Sequence, residues 1–242
     1  MTKALVLAAG EGTRLRPLTL DRPKPMVSLG DRPLLEHLIG LLRHHGITRV
    51  AINLHYKPEV IVQHFGDGTA HGVTITYSHE PNLLGSSGAA KRLEWFLDGP
   101  FVVLYGDVLT DVNLGALIAV HRRRRALATI VLHEVPDPTR CGIAALGSDG
   151  RIVQFLEKPS SEAVFSNLAN AGIYVLDPEI LRYIPIGVPS DFGRDVFPRL
   201  VAEGLPIFGE HVAGSYICDI GSFERYQQAQ RDIQRGTVRI YA

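Results

Sequence analysis

Gly10-Glu-Gly-Thr-Arg14 directly follows the apolar run Ala4 to Ala9. Gly10 and Gly12 let the backbone come close to an anion, and successive N–H groups in such a loop can form a nest for it. The third glycine of a dinucleotide fingerprint is missing, and no Gly-Lys-Ser/Thr follows, so neither a Rossmann fingerprint nor a Walker loop is present. Two fixed charges mark the segment instead: Arg14 in the loop, and Lys24 between Pro23 and Pro25. The prolines stiffen the chain around Lys24, which lowers the cost of holding one ammonium against a polyphosphate.

Further along, isolated polar residues interrupt apolar runs. Asp107 comes just after Phe101-Val-Val-Leu-Tyr105, and Asp219 just after Tyr216-Ile-Cys218. A carboxylate past the end of a buried strand sits where ligands bind in open α/β sheets, although a lone Asp there also serves as a turn or cap. Glu157-Lys158 closes another apolar run, and Asn170 precedes Ala-Gly. Taken singly these read as surface charge and a turn. Asp111 reads as the start of the next helix. None of the ten histidines falls in a motif, and His44 and His45 read as helix-end residues.

The elements that must position these groups follow from periodicity. Continuous apolar runs at 4–9 and 101–105 predict buried strands, and 49–54 is the next strand. Pro33 to His45 predicts an amphipathic helix, with helices also expected at 58–65, 88–97 and 113–125. Strand and helix in alternation predict a parallel sheet with right-handed crossovers. Residues 73–77 alternate like a strand of the same series, and the later strand-like runs at 128–135, 143–146, 152–156 and 171–176 complete the sheet or form a substrate lid. Helices are expected at 196–203 and 222–233, and residues 234–242 are expected to fray. The run His121-Arg-Arg-Arg-Arg125 reads as a solvated face.

The 242 residues, 45% hydrophobic, suit one α/β domain, and no internal repeat is found. Lys plus Arg and Asp plus Glu each number 25, which argues against a nucleic-acid partner. No apolar run reaches the ~20 residues of a membrane span. Cys141 and Cys218 lack metal-ligand spacing and read as reduced, partly buried thiols, so a cytoplasmic location is expected.

The ordered series Gly10-Glu-Gly-Thr-Arg-Leu-Arg-Pro-Leu-Thr19, Pro23-Lys-Pro25, Leu84-Gly-Ser-Ser-Gly88, Gly106-Asp107, Phe155-Leu-Glu-Lys-Pro159, Asn170-Ala-Gly172 and Asp219-Ile-Gly221 resembles the sugar-phosphate nucleotidyltransferases. The resemblance spans nearly the whole chain. It implies a Rossmann-like three-layer α/β/α fold with a mostly parallel central sheet, in one nucleotidyltransferase domain over 1–242 without a C-terminal β-helix. It also implies Mg²⁺ held by Asp107 and Asp219, with Arg14 and Lys24 on the triphosphate and its leaving pyrophosphate; Arg14, Lys24 and Asp107 are the catalytic set. The nucleotide would meet Leu7, Ala8, Ala9, Gly10, Gly12, Thr13, Glu80, Gly85 and Ser86. The sugar phosphate would meet Gly142, Glu157, Lys158 and Asn170.

The expected reaction joins a nucleoside triphosphate to a sugar 1-phosphate and releases pyrophosphate. A sugar 1-phosphate is mostly dianionic near neutrality, since its second pKa is about 6, so it needs no protein nucleophile or histidine base. In uridylyl- and thymidylyl-transferring relatives a glutamine lies five residues before the glycine of the Leu-Gly motif; here that position is Glu80. Ionised Glu only accepts hydrogen bonds, which suits the adjacent N1–H and N2–H of guanine. Arg22-Pro-Lys-Pro-Met26 and Asp195-Val-Phe-Pro198 are similar to mannose and manno-heptose 1-phosphate guanylyltransferases, although Ser86 and Ser87 stand where many relatives have Thr and Ala. A guanylyl transfer to mannose or manno-heptose 1-phosphate is therefore expected. Thymidylyl or uridylyl transfer to glucose-type phosphates is the alternative. A transferase for another phosphate, such as phosphocholine or a molybdopterin, and a non-catalytic nucleotide-sugar-binding regulator are the remaining readings. A homodimer is compatible with all of them.

Overall fold

The computed structural model describes residues 2–241. In chain order it contains β1 (Lys3–Leu7), β2 (Ser28–Leu29), β3 (Arg32–Pro33), α1 (Leu34–His44), β4 (Arg49–Leu54), α2 (Pro58–Phe65), β5 (Thr74–His79), α3 (Gly85–Arg92), β6 (Phe101–Tyr105), β7 (Val108–Thr110) and α4 (Leu114–Arg124). There follow β8 (Ala128–Glu134), β9 (Gly142–Leu146), β10 (Ile152–Glu157), β11 (Leu168–Leu176), α5 (Phe197–Ala202), β12 (Ile207–His211), β13 (Ile217–Asp219) and α6 (Phe223–Gln234). Two compact units result: residues 2–83, 104–114 and 215–241 form the first, and 84–103 and 115–214 the second. Strand β6 gives its first three residues to the second unit and its last two to the first.

In the first unit β1, β4 and β5 pair in parallel, with Ala4 opposite Val50 and Arg49 opposite Thr74. Ala4, Leu5 and Val6 are fully buried, as are Val50, Ala51 and Ile52, which is why apolar residues follow one another there instead of alternating with polar ones. Helix α1 buries Leu34, Leu35, Leu38, Ile39, Leu41 and Leu42. Strand β13 pairs antiparallel with β7, placing Asp219 opposite Val108.

The second unit holds the antiparallel part. Strand β11 pairs with β8 and β9, β9 with β10, and β12 runs parallel to β8. Its core contains an aromatic cluster: Tyr174 meets Phe197 edge-on at 5.1 Å between ring centres, Phe192 stacks on Phe197 at 5.5 Å, and Phe155 meets Phe197 at 5.8 Å. Burial of each such ring stabilises by roughly 1.5–3 kcal/mol. The class is the expected Rossmann-like α/β fold with a mostly parallel central sheet.

Four expectations change. Helix α3 starts at Gly85, before the expected 88, and ends at Arg92. Asp111 does not start a helix. Its carboxylate accepts from Tyr216 N at 2.7 Å and Arg239 N at 3.2 Å, far along the chain. That contact, the burial of Val238 and the tilted stack of Tyr241 on His44 at 4.2 Å hold the tail in place as far as Tyr241, where fraying was expected. Within 121–125, His121 is buried at 2% exposure while Arg122, Arg123 and Arg125 face solvent, so only part of that run is a solvated face.

Candidate active site

The first unit gathers the charges singled out near the amino terminus. Strand β1 stops at Leu7, and its carbonyl accepts from Gly106 N at 2.9 Å. A Cβ on Gly106 would lie 2.6 Å from that oxygen and 3.0 Å from Pro25, so only glycine fits just before Asp107. Ala8 and Ala9 are buried, Gly10 is exposed, and Thr13 opens a single 3-10 turn that carries Arg14. Gly12 takes φ +68, and a Cβ there would stand 2.8 Å from the Lys24 Cβ. The loop therefore lies directly on the Lys24 stem, and Thr19 Oγ1 locks it by donating to Gly12 O at 2.8 Å.

Lys24 is the centre of the cluster. Its residue is buried, and its Nζ stands 2.5 Å from Asp107 Oδ2 and 3.3 Å from Asp219 Oδ1. Ile220 N donates to Asp107 O at 2.9 Å, and Arg225 Nε donates to Asp219 O at 2.8 Å, so both aspartates sit on a fixed frame. Gly221 lies beside the Asp219 carboxylate, and Arg14 Nη2 is 3.2 Å from where a Cβ on Gly221 would be. Arg14, Lys24, Asp107 and Asp219 are thus brought together. No group of three or more His, Cys, Asp or Glu suited to a metal occurs among the described residues. Two carboxylates suffice where phosphate oxygens complete the shell.

Glu80 is not the exposed strand-end charge it could have been. It is buried at 3% exposure, and its Oε1 accepts from Asn53 Nδ2 at 2.9 Å. Asn53 Oδ1 in turn accepts from Ala8 N at 2.8 Å. Sequence reasoning missed Asn53, a polar residue inside the apolar run of β4 that ties Glu80 to the start of the glycine loop.

The second unit gathers the other set. The Glu157 carboxylate rests over two glycines: a Cβ on Gly142 would come within 2.5 Å of its Oε2 and one on Gly193 within 2.6 Å. Burial pushes the Glu157 carboxyl up from its ordinary value; Lys158 and Arg194 pull it back, and Asp191 adds to the rise. Lys158 adopts a left-handed backbone, φ +48, which costs a non-glycine residue roughly 1 kcal/mol or more. Its side chain is 68% exposed, with Nζ 4.0 Å from Glu157 Oε1. Asn170 marks a register break between β11 and β8; its Oδ1 accepts from Gly172 N at 3.0 Å and its Nδ2 donates to the Tyr174 hydroxyl at 2.9 Å. Asn170 lies within strand β11 rather than in a turn, and Gly193 stands between it and Glu157.

Gly85 takes φ +72 and Ser86 is buried at the start of α3. Ser86 N and Oγ each donate to Asp191 Oδ1 at 3.1 Å, Ser86 Oγ accepts from Phe192 N at 2.9 Å, and Arg194 Nη2 donates to Asp191 Oδ2 at 2.7 Å. Asp191, Gly193 and Arg194 surround this and the Glu157 slot from a π-helical turn, Phe192–Val196. Local pattern does not mark that turn, because Asp191-Phe-Gly-Arg-Asp195 has neither a helical nor a strand period.

These features define an α/β protein with an acidic pair on a lysine. The chain belongs to the nucleotidyl transferase family, whose pattern matches residues 3–236. It is 40% identical to a Synechocystis UTP–glucose-1-phosphate uridylyltransferase, over 96% of this chain and 63% of that protein. It is 38% identical to a Mycobacterium tuberculosis mannose-1-phosphate guanylyltransferase, over 96% and 65%. The chain therefore spans a little under two thirds of the length of these relatives. Among solved structures, HddC from Yersinia pseudotuberculosis is 26% identical and superposes with a TM-score of 0.81, covering 96% of this chain and all of that one. A second structure of HddC, complexed with GMP-PN, gives 0.80. Cys141 and Cys218 are not joined in a disulfide, and no helix among the described residues is long and apolar enough to cross a membrane.

Proposed function

We propose that this chain transfers a nucleoside monophosphate from a nucleoside triphosphate to a sugar 1-phosphate and releases pyrophosphate, with residues 1–242 acting as one nucleotidyltransferase domain. The observation that carries the reading is the meeting of Arg14, Lys24, Asp107 and Asp219 below the glycine loop. Family membership and the names of the relatives support it.

The acidic pair fits Mg²⁺. Two oxygen donors already converge on one cationic atom, the Lys24 ammonium, and Mg²⁺ takes one or two carboxylates with phosphate oxygens and water. Asp107 and Asp219 would hold it, and when bound it supplies positive charge to the reacting phosphates. Arg14 and Lys24 neutralise the triphosphate and the departing pyrophosphate. The backbone from Leu7 to Thr13 cradles the phosphates. Lys158, exposed on a left-handed turn, holds the phosphate of the sugar substrate, and Glu157, above Gly142, accepts from sugar hydroxyls with Asn170 beside it. The sugar phosphate's own oxygen attacks the α-phosphorus in line, so the protein's work is positioning and charge neutralisation.

Guanine is the base we favour, with mannose or manno-heptose 1-phosphate as acceptor. Glu80 offers acceptors only, and although Oε1 already takes a hydrogen from Asn53, a carboxylate oxygen has a second lone pair for guanine. The Mycobacterium guanylyltransferase and the guanine-nucleotide complex of HddC agree with this. The Synechocystis uridylyltransferase keeps uridylyl or thymidylyl transfer to a glucose-type phosphate as the second reading. A cytoplasmic location fits a nucleoside-triphosphate substrate and two reduced cysteines. A matrix of five triphosphates against mannose, glucose, N-acetylglucosamine and heptose 1-phosphates, read by pyrophosphate release, tests all of this. Turnover with GTP and a manno-configured phosphate is expected, and no release from any pair would end the proposal.

A further inference from the structure

The carboxylate pair assigned to a divalent ion already faces a charge that belongs to this chain. Lys24 Nζ contacts both carboxylates, at 2.5 Å and 3.3 Å. Its stem is pinned between Pro23 and Pro25 and pressed against Gly12, so only the end of the side chain is free to swing. The acceptors are more fixed than the donor. The Asp107 carbonyl accepts from Ile220 N, and the backbones of Asp219 and Val108 are partners in the β13–β7 pair. Both carboxylates keep a face to solvent, their side chains being 32% and 49% exposed, so a second cation could reach them.

An ammonium and a divalent ion cannot share these oxygens. They repel each other, and the ammonium already occupies one oxygen of each carboxylate. We propose that Lys24 is the resident countercation of this site, and that a divalent ion enters only when a polyphosphate draws the ammonium away. In the free protein the lysine neutralises half of the acidic pair. A polyphosphate offers Lys24 other anionic oxygens, and the carboxylates are released to the ion at the moment the ion is required. Ion and polyphosphate then raise each other's affinity by the same factor. This rests on the proposed reaction for the identity of the polyphosphate, but the exchange of cations does not depend on turnover.

Mn²⁺ alone is the probe, titrated into the full chain while the electron-spin-resonance signal of the free ion is followed. Lys24→Met and Lys24→Gln should each bind Mn²⁺ about ten- to a hundredfold more tightly than the parent, the factor expected for losing one charge-assisted competitor. Adding Asp107→Asn to either should remove the gain. Two neutral replacements are used so that misfolding of one leaves the other to decide. Parent-like Mn²⁺ affinity in the folded neutral variants overturns the proposal, and so does a gain that survives Asp107→Asn, because the ion would then be elsewhere. A parent inactive on every substrate pair, but with the gain present, would retire the proposed reaction and keep this one. An active parent without the gain would do the reverse.

Discussion

Lys158 is held where a folded chain would not put a lysine for packing alone. It spends a left-handed backbone conformation on a side chain that is 68% exposed and buries nothing. An exposed ammonium at a strained turn, held only by a 4.0 Å contact with Glu157 Oε1, is well placed to meet a phosphate. Lys158→Ala should therefore raise the KM for sugar 1-phosphate by about tenfold or more, the cost of a lost charge-assisted hydrogen bond, with the triphosphate KM little changed. Steady-state kinetics with each substrate varied in turn checks it; a rise confined to the triphosphate would mean that the two phosphate sites are assigned the wrong way round. Glu80 gives a second residue-scale prediction. Glu80→Gln keeps an acceptor for Asn53 but adds a donor, so relative kcat/KM should move from GTP toward UTP or dTTP. An unmoved base preference would retire the base-reading role. The sequence named both residues, but it gave no sign that Glu80 would be buried and tied through Asn53 to Ala8, since hydrogen bonds across separate strands leave no mark on local pattern.

At the scale of elements, long apolar runs were legible because burial on both faces leaves little choice of residue, as in β1, β4 and β6. Short or aperiodic pieces were not. Three-residue β13 exists through its pairing with β7, and the π-helical turn at Phe192–Val196 exists through its bonds to the start of α3. Asp111 was misread for the same reason, its partners Tyr216 and Arg239 being more than a hundred residues away. The bond between turn and helix can be measured. Ser86 Oγ is the acceptor for the buried Phe192 N and a donor to Asp191. Ser86→Ala leaves that N–H without a partner and should lower unfolding free energy by about 1–3 kcal/mol, whereas Ser86→Thr keeps the hydroxyl and should lose less. Urea melts of the three proteins would decide, and equal stability of alanine and serine would show that the bond contributes nothing.

For the whole molecule, formal charge is balanced at neutral pH, with 25 cationic and 25 acidic residues, so the first source of acid sensitivity to test is a particular buried group. His121 is the strongest such group. It sits on α4 at 2% exposure, its Nδ1 3.0 Å from the Thr129 hydroxyl, and burial pulls its pKa down from 6.5 to about 4, against a smaller upward pull from Asp177. The sign follows from proton uptake. Below pH 6.5 the unfolded chain protonates this histidine while the folded chain does not, so the unfolded state binds more protons and stability falls as pH falls toward 4. A shift of this size corresponds to up to about 3 kcal/mol. His121→Gln keeps a hydrogen-bonding group opposite Thr129 but cannot take up a proton in this range. Its loss of stability between pH 7 and about pH 4.5 should therefore be smaller than the parent's by about 2–3 kcal/mol. Chemical denaturation at the two pH values measures the difference. If parent and variant weaken equally, the acid sensitivity lies in the carboxylates, and His121 is simply a well-packed ring in the second unit.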